Sequence, residues 1–81
     1  MSDFYIYIMG YLRAGKEVYY TGHTNDMTRR FNEHMTENRR WFGAPIIVGV
    51  APTRGLAMRG EALVKKWSHG MKRMALEVPR E

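Results

Sequence analysis

Residues 19–34, YYTGHTNDMTRRFNEH, hold side chains that could act on a phosphate group. Arg30 and His34 are four residues apart, so on a helix they lie on one side and can reach a shared anion. Breaking a phosphodiester needs a deprotonated water, a cation for the charge on the phosphate oxygens, and a proton for the leaving oxygen. The forked guanidinium matches two phosphate oxygens, so we predict that Arg30 is the phosphate clamp.

Tyrosines and one glutamate could supply a base and a metal ligand. Tyr5 and Tyr7 alternate with apolar residues in FYIYIM, and Tyr20 ends the next apolar run. A tyrosine accepts a proton from water only if its pKa, ordinarily near 10, is lowered by nearby positive charge. Arg30 and a metal ion would provide that charge. Mg²⁺ keeps several waters and needs only one or two carboxylates, so Glu61 alone would suffice.

Taken singly, the same residues favour structural roles. The tyrosines are good strand residues that pack, and Arg30 could be a solvated helix charge. A lone histidine such as His34 is more often structural than functional, and Glu61 could form an ordinary helix pair with Lys65. His23 and His69 are interpreted as surface residues without zinc-ligand spacing. The combination, rather than any one member, favours chemistry.

The first half of the chain predicts a hairpin followed by a helix. FYIYIM (4–9) is aromatic and β-branched, which is typical of a strand, and VYYTG (18–22) returns antiparallel to it. The polar segment 10–17 between them is predicted to be a hairpin loop. A helix should cover 26–35, with Thr24 or Asn25 as its cap. Its buried stripe is predicted at four-residue spacing: Met27, Phe31 and Met35.

The second half predicts a loop, a strand and two helices. Residues 36–45 contain Gly43 and Pro45 and are predicted to form an exposed loop, whereas the apolar run IIVGVA (46–51) predicts a central strand covered on both faces. A helix fits 53–67, and Ser68 could cap a last short helix over 71–77. The inner face of the longer helix is predicted to be Leu56, Gly60, Leu63, Val64 and Trp67, with Gly60 allowing close approach to the sheet. The predicted fold class is α+β: one domain, 1–81, with a three-stranded antiparallel or mixed sheet flanked by helices in the order β-β-α-β-α-α.

Charge and composition narrow the possible partners. The net charge of +5 is uneven: residues 1–38 hold four Lys/Arg and five Asp/Glu, and residues 39–81 hold nine and three. A basic half suggests nucleic acid, although solubility alone explains charge about as well. There is no cysteine, which excludes disulfides and thiolate chemistry and is compatible with the cytoplasm. We expect no signal peptide and no membrane helix, since no apolar run approaches about 20 residues.

Basic and aromatic residues predict where nucleic acid would bind. In NRRWF (38–42) two arginines adjoin two aromatic residues, which suggests phosphate contacts by Arg39 and Arg40 and base stacking by Trp41. The alternative is that Trp41 and Phe42 pack under the loop, and we favour packing for at least one of them. A basic rim near Glu61 is predicted from these residues: Arg54, Arg59, Lys65, Lys66, Lys72 and Arg73. Phosphate contacts carry no base information, so no sequence specificity is predicted.

Four sequence motifs together resemble the GIY-YIG nuclease superfamily, and most closely its small stand-alone members. YIY (5–7) is similar to the first motif and YTG (20–22) to the second. TNDMTRRFNEH (24–34) resembles the helix that carries the family's arginine and histidine, and AMRGEALVKKWS (57–68) the helix that carries its metal-binding glutamate. The likeness covers about residues 4–76. Tyr5 stands where the family has its name-giving glycine.

The resemblance implies a role for each matched residue. Tyr7 would be the general base for a metal-associated water, and Tyr20 would position that water or the phosphate. Arg30 would stabilise the transition-state charge, and His34 would hydrogen-bond within the cluster and tune a tyrosine. Glu61 would hold one Mg²⁺ or Mn²⁺ near the leaving 3′-oxygen. The products expected of such an enzyme carry 5′-phosphate and 3′-hydroxyl ends.

Three functions remain open at this level. The first is a metal-dependent DNA endonuclease, selective for branched, nicked or single-stranded DNA and serving repair or recombination. The second is a non-catalytic nucleic-acid-binding module that retains the fold. The third is a small protein-interaction domain. A short basic domain without further DNA-binding modules must find DNA with its own surface, as a homodimer, or through a recruiting protein partner.

Overall fold

The computed structural model of the protein describes residues 3–37 and 39–77. It contains a three-stranded sheet of order β2-β1-β3 with both pairings antiparallel, and three helices. This confirms the predicted α+β class and the order β-β-α-β-α-α; the sheet is purely antiparallel. The elements are β1 (Phe4–Arg13), β2 (Lys16–Thr24), α1 (Met27–Met35), β3 (Arg40–Ala51), α2 (Arg54–Lys65) and α3 (His69–Glu77). No helix of the described residues is long and apolar enough to cross a membrane.

A tight turn joins β1 to β2. Arg13 pairs with Lys16, so only Ala14 and Gly15 lie between the strands, with φ of 52° and 77°. Two positive φ values in a two-residue loop are typical of the hairpin turn whose twist matches that of the strands. The predicted loop over 10–17 was therefore too long, because the polar residues at the exposed end of the hairpin still pair as β-strands.

β3 differs most from the sequence prediction. It begins at Arg40, so most of the segment predicted as an exposed loop is strand; Asn38 of that segment lies outside the described residues. It is an edge strand rather than a central one, and Ile47 and Val50 are about half exposed. Pairing slips between Ile8↔Ile46 and Gly10↔Phe42, and this irregularity accommodates the glycine and proline that suggested a loop.

β1 is the central strand and is buried on both faces. Ile6 and Ile8 face α2 and α3, where Val64, Trp67 and Leu76 pack against them. Tyr7 and Met9 alternate with these residues and are buried on the opposite face. The catalytic candidates on β1 are therefore held in the middle of the sheet by packing from two sides.

α2 packs on the sheet through small residues. A Cβ on Gly60 would lie 2.3 Å from Ile6 Cδ1, so the predicted close approach at this glycine is confirmed. Ala57 and Val64 are buried as well, whereas Leu56 and Leu63 are exposed, so the predicted inner face was wrong at these two leucines. The close contact at Ala57 and Gly60 rotates the larger side chains outward.

α1 buries a histidine instead of its methionine stripe. His34 is the buried residue of the helix, while Met35 is 45% exposed and Met27 and Phe31 are half-buried. The predicted stripe is therefore wrong at Met35; the side of α1 that faces the tyrosines carries Arg30 and His34. Asp26, rather than Thr24 or Asn25, is the cap and accepts from the Arg29 amide at 3.0 Å. The predicted cap of α3 is confirmed: Ser68 Oγ accepts from the Met71 amide at 3.1 Å.

Candidate active site

One arginine holds the hydroxyl groups of two tyrosines. Arg30 donates from Nε to the Tyr7 hydroxyl at 3.1 Å and from Nη2 to the Tyr20 hydroxyl at 3.0 Å. Its Nη1 donates to Glu33 at 3.0 Å. β1 and β2 place the two tyrosine rings 6.0 Å apart, and α1 lays the guanidinium across them. The structure thus brings Tyr7, Tyr20 and Arg30 into one hydrogen-bonded cluster.

Behind Tyr7 lies a chain of proton-carrying groups. The Tyr7 hydroxyl is 2.8 Å from His34 Nε2, and His34 Nδ1 is 2.5 Å from Glu37 Oε1. Arg30 can only donate, so Tyr7 accepts from it and keeps its own proton for His34. A carboxylate can only accept, so His34 Nδ1–H donates to Glu37. This arrangement fixes the imidazole with Nε2 free to take the proton of Tyr7.

The position of His34 is set by its backbone as well as its ring. Its carbonyl accepts from Trp41 Nε1 at 2.8 Å and from the Glu37 amide at 3.0 Å. The Trp41 ring stands edge-on to the imidazole with centroids 4.8 Å apart. Trp41 is half-buried by these contacts, which agrees with the packing alternative for this residue.

Burial controls the protonation of Tyr7. The side chain is fully buried, and loss of solvent raises its pKa above the ordinary value even though the Arg30 hydrogen bond acts in the opposite direction. The sequence-based expectation that Arg30 would lower a tyrosine pKa is therefore wrong for the net effect at Tyr7. The pKa of Arg30 itself is raised, first by its bond to Glu33. Tyr7 therefore keeps its proton at neutral pH unless an acceptor such as His34 removes it.

Gly22 makes room for the tyrosine cluster. A Cβ at this position would lie 2.8 Å from the Tyr7 hydroxyl oxygen and 2.8 Å from Tyr20 Cε2. We expect Gly22→Ala to displace both rings and to lower the free energy of unfolding by about 1–3 kcal/mol, as overpacking does. Thermal or urea unfolding measures this change. Gly55→Ala is the control, because nothing lies within 4 Å of that Cβ and the helix should gain about 0.5–1 kcal/mol. Equal stability of Gly22→Ala and the wild type would contradict the close contact.

Glu61 is held by two basic side chains. His23 Nδ1 is 2.7 Å from its Oε1, and Lys65 Nζ is 2.9 Å from its Oε2. Burial alone would raise the pKa of Glu61, but the hydrogen bonds from His23 and Lys65 lower it below the ordinary value. The carboxylate is therefore ionised at neutral pH. His23 was interpreted as a surface residue, and that interpretation is wrong: it is half-buried and orients the predicted metal ligand.

A cavity of about 360 Å³ joins Glu61 to the arginine and tyrosine cluster. Glu61 of α2, Arg30 of α1 and Tyr20 of β2 line the same space, so three elements converge on it. Tyr7 lies behind this wall, under Arg30. The remaining lining residues are His23, Thr24, Asn25, Arg29, Glu33 and Arg54.

The donor set at Glu61 fits a hard cation such as Mg²⁺. Among the described residues no group of three or more His, Cys, Asp or Glu side chains could hold a metal ion. Mg²⁺ needs no such group, because it keeps several waters and takes substrate phosphate oxygens beside one or two carboxylates. Lys65 is largely exposed and can leave Oε2 when a cation arrives. Glu61 on an open cavity therefore suffices.

The predicted nucleic-acid-binding residues fall into two regions. Arg39, Arg40 and Trp41 lie at the start of β3. The others lie on α2, α3 and the turn between them: Lys65 pairs with Glu61, and Lys66 is exposed. Burial lowers the pKa of Lys72, and Arg73 lies 3.8 Å from Glu17. Some side chains of the second region therefore already make contacts within the protein. Nucleic-acid binding by the residues of either region stays a prediction.

Two residues of the site were missed from sequence. Glu37 comes three residues after His34, just past the end of α1, and this spacing was the only sign of it. His23 follows Gly22 in β2 and reaches Glu61, which is 38 residues later in sequence. Contacts across such distances are set by packing of α2 on the sheet, which the local pattern does not contain.

We expect Glu37→Gln to change how catalysis depends on pH. An amide can present its NH₂ to His34 Nδ1, which favours the imidazole tautomer that cannot take a proton from Tyr7. Cleavage should fall by about 10–100-fold, as it does when an outer carboxylate is lost, and more of the rate should return at high pH. The readout is the pH–rate profile, since a purely structural role would lower the rate equally at all pH values. Glu17→Gln is the control, because this carboxylate on β2 is exposed and does not line the cavity.

A family model described as the GIY-YIG catalytic domain matches residues 3–74, a range that includes the following site residues: Tyr7, Tyr20, Arg30, His34 and Glu61. Neither the search of curated proteins nor the search of solved structures gave a match. Because the family model covers nearly the whole chain, this protein belongs to the GIY-YIG nuclease family.

Proposed function

We propose that the protein is a divalent-metal-dependent endonuclease that hydrolyses DNA phosphodiester bonds. The observation that carries the proposal is the convergence of Arg30, Tyr20 and Glu61 on one cavity, with Tyr7 and its proton acceptor directly behind. A candidate base would deprotonate the water, the arginine would stabilise the charge on the phosphate oxygens, and a cation held by Glu61 would stabilise the leaving oxygen. A module that only binds nucleic acid requires neither the buried tyrosine relay nor an ionised carboxylate facing the cavity.

Arg30 is the group that would recognise the scissile phosphate. Its guanidinium is permanently charged and lines the cavity, and its fork can exchange the tyrosine hydroxyls for two phosphate oxygens. Turning toward a phosphate would uncover the Tyr7 hydroxyl, to which Arg30 Nε donates at 3.1 Å. Catalytic hydrogen bonds often reach their final geometry only when the substrate is bound. Substrate binding and exposure of the base are therefore coupled through one side chain.

Tyr7 acts as the general base in this proposal because it has a proton acceptor. Its hydroxyl proton passes to His34 Nε2, and Glu37 stabilises the imidazolium that results. The freed phenolate oxygen takes a proton from the attacking water. Tyr20 reaches the cavity wall and positions that water or the phosphate; its hydroxyl accepts a hydrogen bond from Arg30 at 3.0 Å.

Glu61 would hold one Mg²⁺ or Mn²⁺, with His23 keeping the carboxylate ionised and oriented. When bound, the cation supplies charge stabilisation for the leaving 3′-oxygen. The expected products carry 5′-phosphate and 3′-hydroxyl ends. Selectivity for branched, nicked or single-stranded DNA, and a place in repair or recombination in the cytoplasm, belong to the same proposal. Because one small domain offers a limited surface to DNA, the proposal includes recruitment by a protein partner or action as a homodimer.

A panel of DNA structures tests the proposal. Supercoiled plasmid and labelled flap, fork, nicked and single-stranded DNA are incubated with the protein in Mg²⁺, in Mn²⁺ and in EDTA. We expect cutting in the metal samples, none in EDTA, and a preference among the structures that indicates the substrate. Salt-sensitive binding of DNA without cutting in any metal would instead support the second candidate, a non-catalytic binding module. The pairing of both Glu61 oxygens by His23 and Lys65 is the observation that favours that candidate.

A further inference from the structure

A second cavity, whose lining includes neither Glu61 nor Arg30, is lined by three arginines. It has a volume of about 340 Å³ and lies between β1 and the start of β3. Its lining, which we call the arginine pocket, is Tyr11, Leu12, Arg13, Arg39 and Arg40. No carboxylate belongs to this lining, and in residues 3–37 and 39–77 none of the three arginines forms a salt bridge. Three uncompensated guanidinium groups around one space are a favourable environment for an anion.

Arg39 is held in place by aromatic rings. Its guanidinium carbon lies 4.8 Å from the centroid of Tyr11 and 5.7 Å from that of Trp41. Stacking on ring faces fixes the plane of the guanidinium but leaves its N–H edges available for oxygen ligands. Arg39 is thus positioned before any ligand binds, whereas Arg13 and Arg40 are exposed and can close on a ligand from the sides.

The arginine pocket is connected to the catalytic cluster through Trp41. The Trp41 ring lies 6.2 Å from Tyr20 on one side and 5.2 Å from Tyr11 of the pocket. Tyr7, Tyr11, Tyr20 and Trp41 all lie on the same face of the sheet by strand alternation and pairing. Phosphates in duplex DNA advance by about 3.4 Å per nucleotide of a strand. The pocket therefore lies within a few nucleotides of a phosphate bound at Arg30.

We infer that the arginine pocket binds backbone phosphates of the same DNA strand whose scissile phosphate lies at Arg30. This inference rests on the proposed nuclease function and adds a second anchoring point for its substrate, with Arg13 as a contact that the sequence did not suggest. The rings of Tyr11 and Trp41 are occupied by Arg39 and by internal packing. The pocket accordingly holds phosphate rather than bases, and it contributes affinity without sequence preference.

The salt dependence of DNA binding tests this assignment. Binding of fluorescent duplex DNA is measured in EDTA over a range of NaCl concentrations, so that no cleavage interferes. Each phosphate contact contributes about 0.9 to the slope of log K against log salt. The double variant Arg13→Gln/Arg40→Gln should therefore bind more weakly, with a slope shallower by about 2. Arg39 is left in place, because it packs on two rings.

Lys16→Gln is the matched control. Lys16 pairs directly with Arg13 across the hairpin and is exposed, but it does not line the arginine pocket. We expect it to keep the wild-type slope. If the double variant keeps the wild-type slope and affinity, or if Lys16→Gln changes the slope as much per charge, the pocket is not a phosphate site.

A separate cleavage assay of the wild type in Mg²⁺ distinguishes the two proposals. Cleavage by the wild type, together with unchanged binding by the pocket variant, would overturn the arginine pocket and leave the nuclease standing. A reduced slope for the pocket variant without cleavage by the wild type would support phosphate binding there and overturn the nuclease. Unfolding curves for all variants confirm that binding is compared between folded proteins.

Discussion

Replacing Tyr7 with phenylalanine is expected to lower the rate of DNA cleavage by about 10²–10⁴-fold, the usual contribution of a general base. The ring is fully buried, and phenylalanine fills the same space, so the fold should persist. What is lost is the hydroxyl that links Arg30 to His34. The measurement is the single-turnover rate with enzyme in excess over labelled DNA, with binding checked in EDTA.

Tyr20→Phe is the comparison that assigns the base. Its hydroxyl lines the cavity wall and accepts a hydrogen bond from Arg30 at 3.0 Å, whereas the Tyr7 hydroxyl contacts both Arg30 and His34. Loss of a single hydrogen bond contributes roughly tenfold or less to the rate. Tyr20→Phe should therefore be the milder variant. A larger loss in Tyr20→Phe than in Tyr7→Phe would reverse the assignment and make Tyr20 the base.

Arg30→Lys should reduce cleavage by about 10²–10³-fold although it retains the charge. The planar guanidinium donates hydrogen bonds to Tyr7, Tyr20 and Glu33 at once. The compact ammonium group of lysine cannot reproduce this arrangement of three hydrogen bonds. Removing one fixed donor to a developing oxyanion has an effect of this size. The rate constant at saturating DNA measures the loss of transition-state stabilisation separately from weaker binding.

Arg29→Lys is the control for this variant. Arg29 precedes Arg30 on α1 and lines the same cavity, but its side chain is 61% exposed and lies 4.0 Å from Glu33 rather than on the tyrosines. We expect a change of no more than a few-fold. Equal loss in the two variants would mean that positive charge on α1 matters and that the bidentate geometry of Arg30 does not.

Local sequence patterns were sufficient for the elements that carry the site. The aromatic and β-branched runs over 4–9 and 18–22, and the cap residues and four-residue spacing over 24–35, predicted two strands and a helix that the structure contains. The prediction that β3 is central failed because the order of strands depends on partners far away in sequence. The apolar run in β3 resembles a central strand, but β1 is the central strand: it pairs with both β2 and β3 and is buried on both faces.

The candidate site, like the fold, was predictable where it depends on residue types and local spacing. Residues with characteristic chemistry, such as Arg30 and Glu61, were identified from their types and motifs. His23 and Glu37 were not, because a histidine and a glutamate acquire their roles only from the neighbours that folding provides. The raised pKa of Tyr7 is a further case: the sequence contains the arginine that lowers it but not the burial that outweighs it.

The most direct test of the active-site account compares the wild type with Glu61→Gln, purified side by side, as Mg²⁺ is increased from zero in the plasmid and labelled-DNA assays. Glutamine keeps the size of the side chain but removes the charge that would hold the cation. The account predicts metal-dependent cleavage by the wild type, a loss of at least about 10²-fold in the variant, and unchanged DNA binding in EDTA. Equal cleavage by the two proteins at every Mg²⁺ concentration would contradict it.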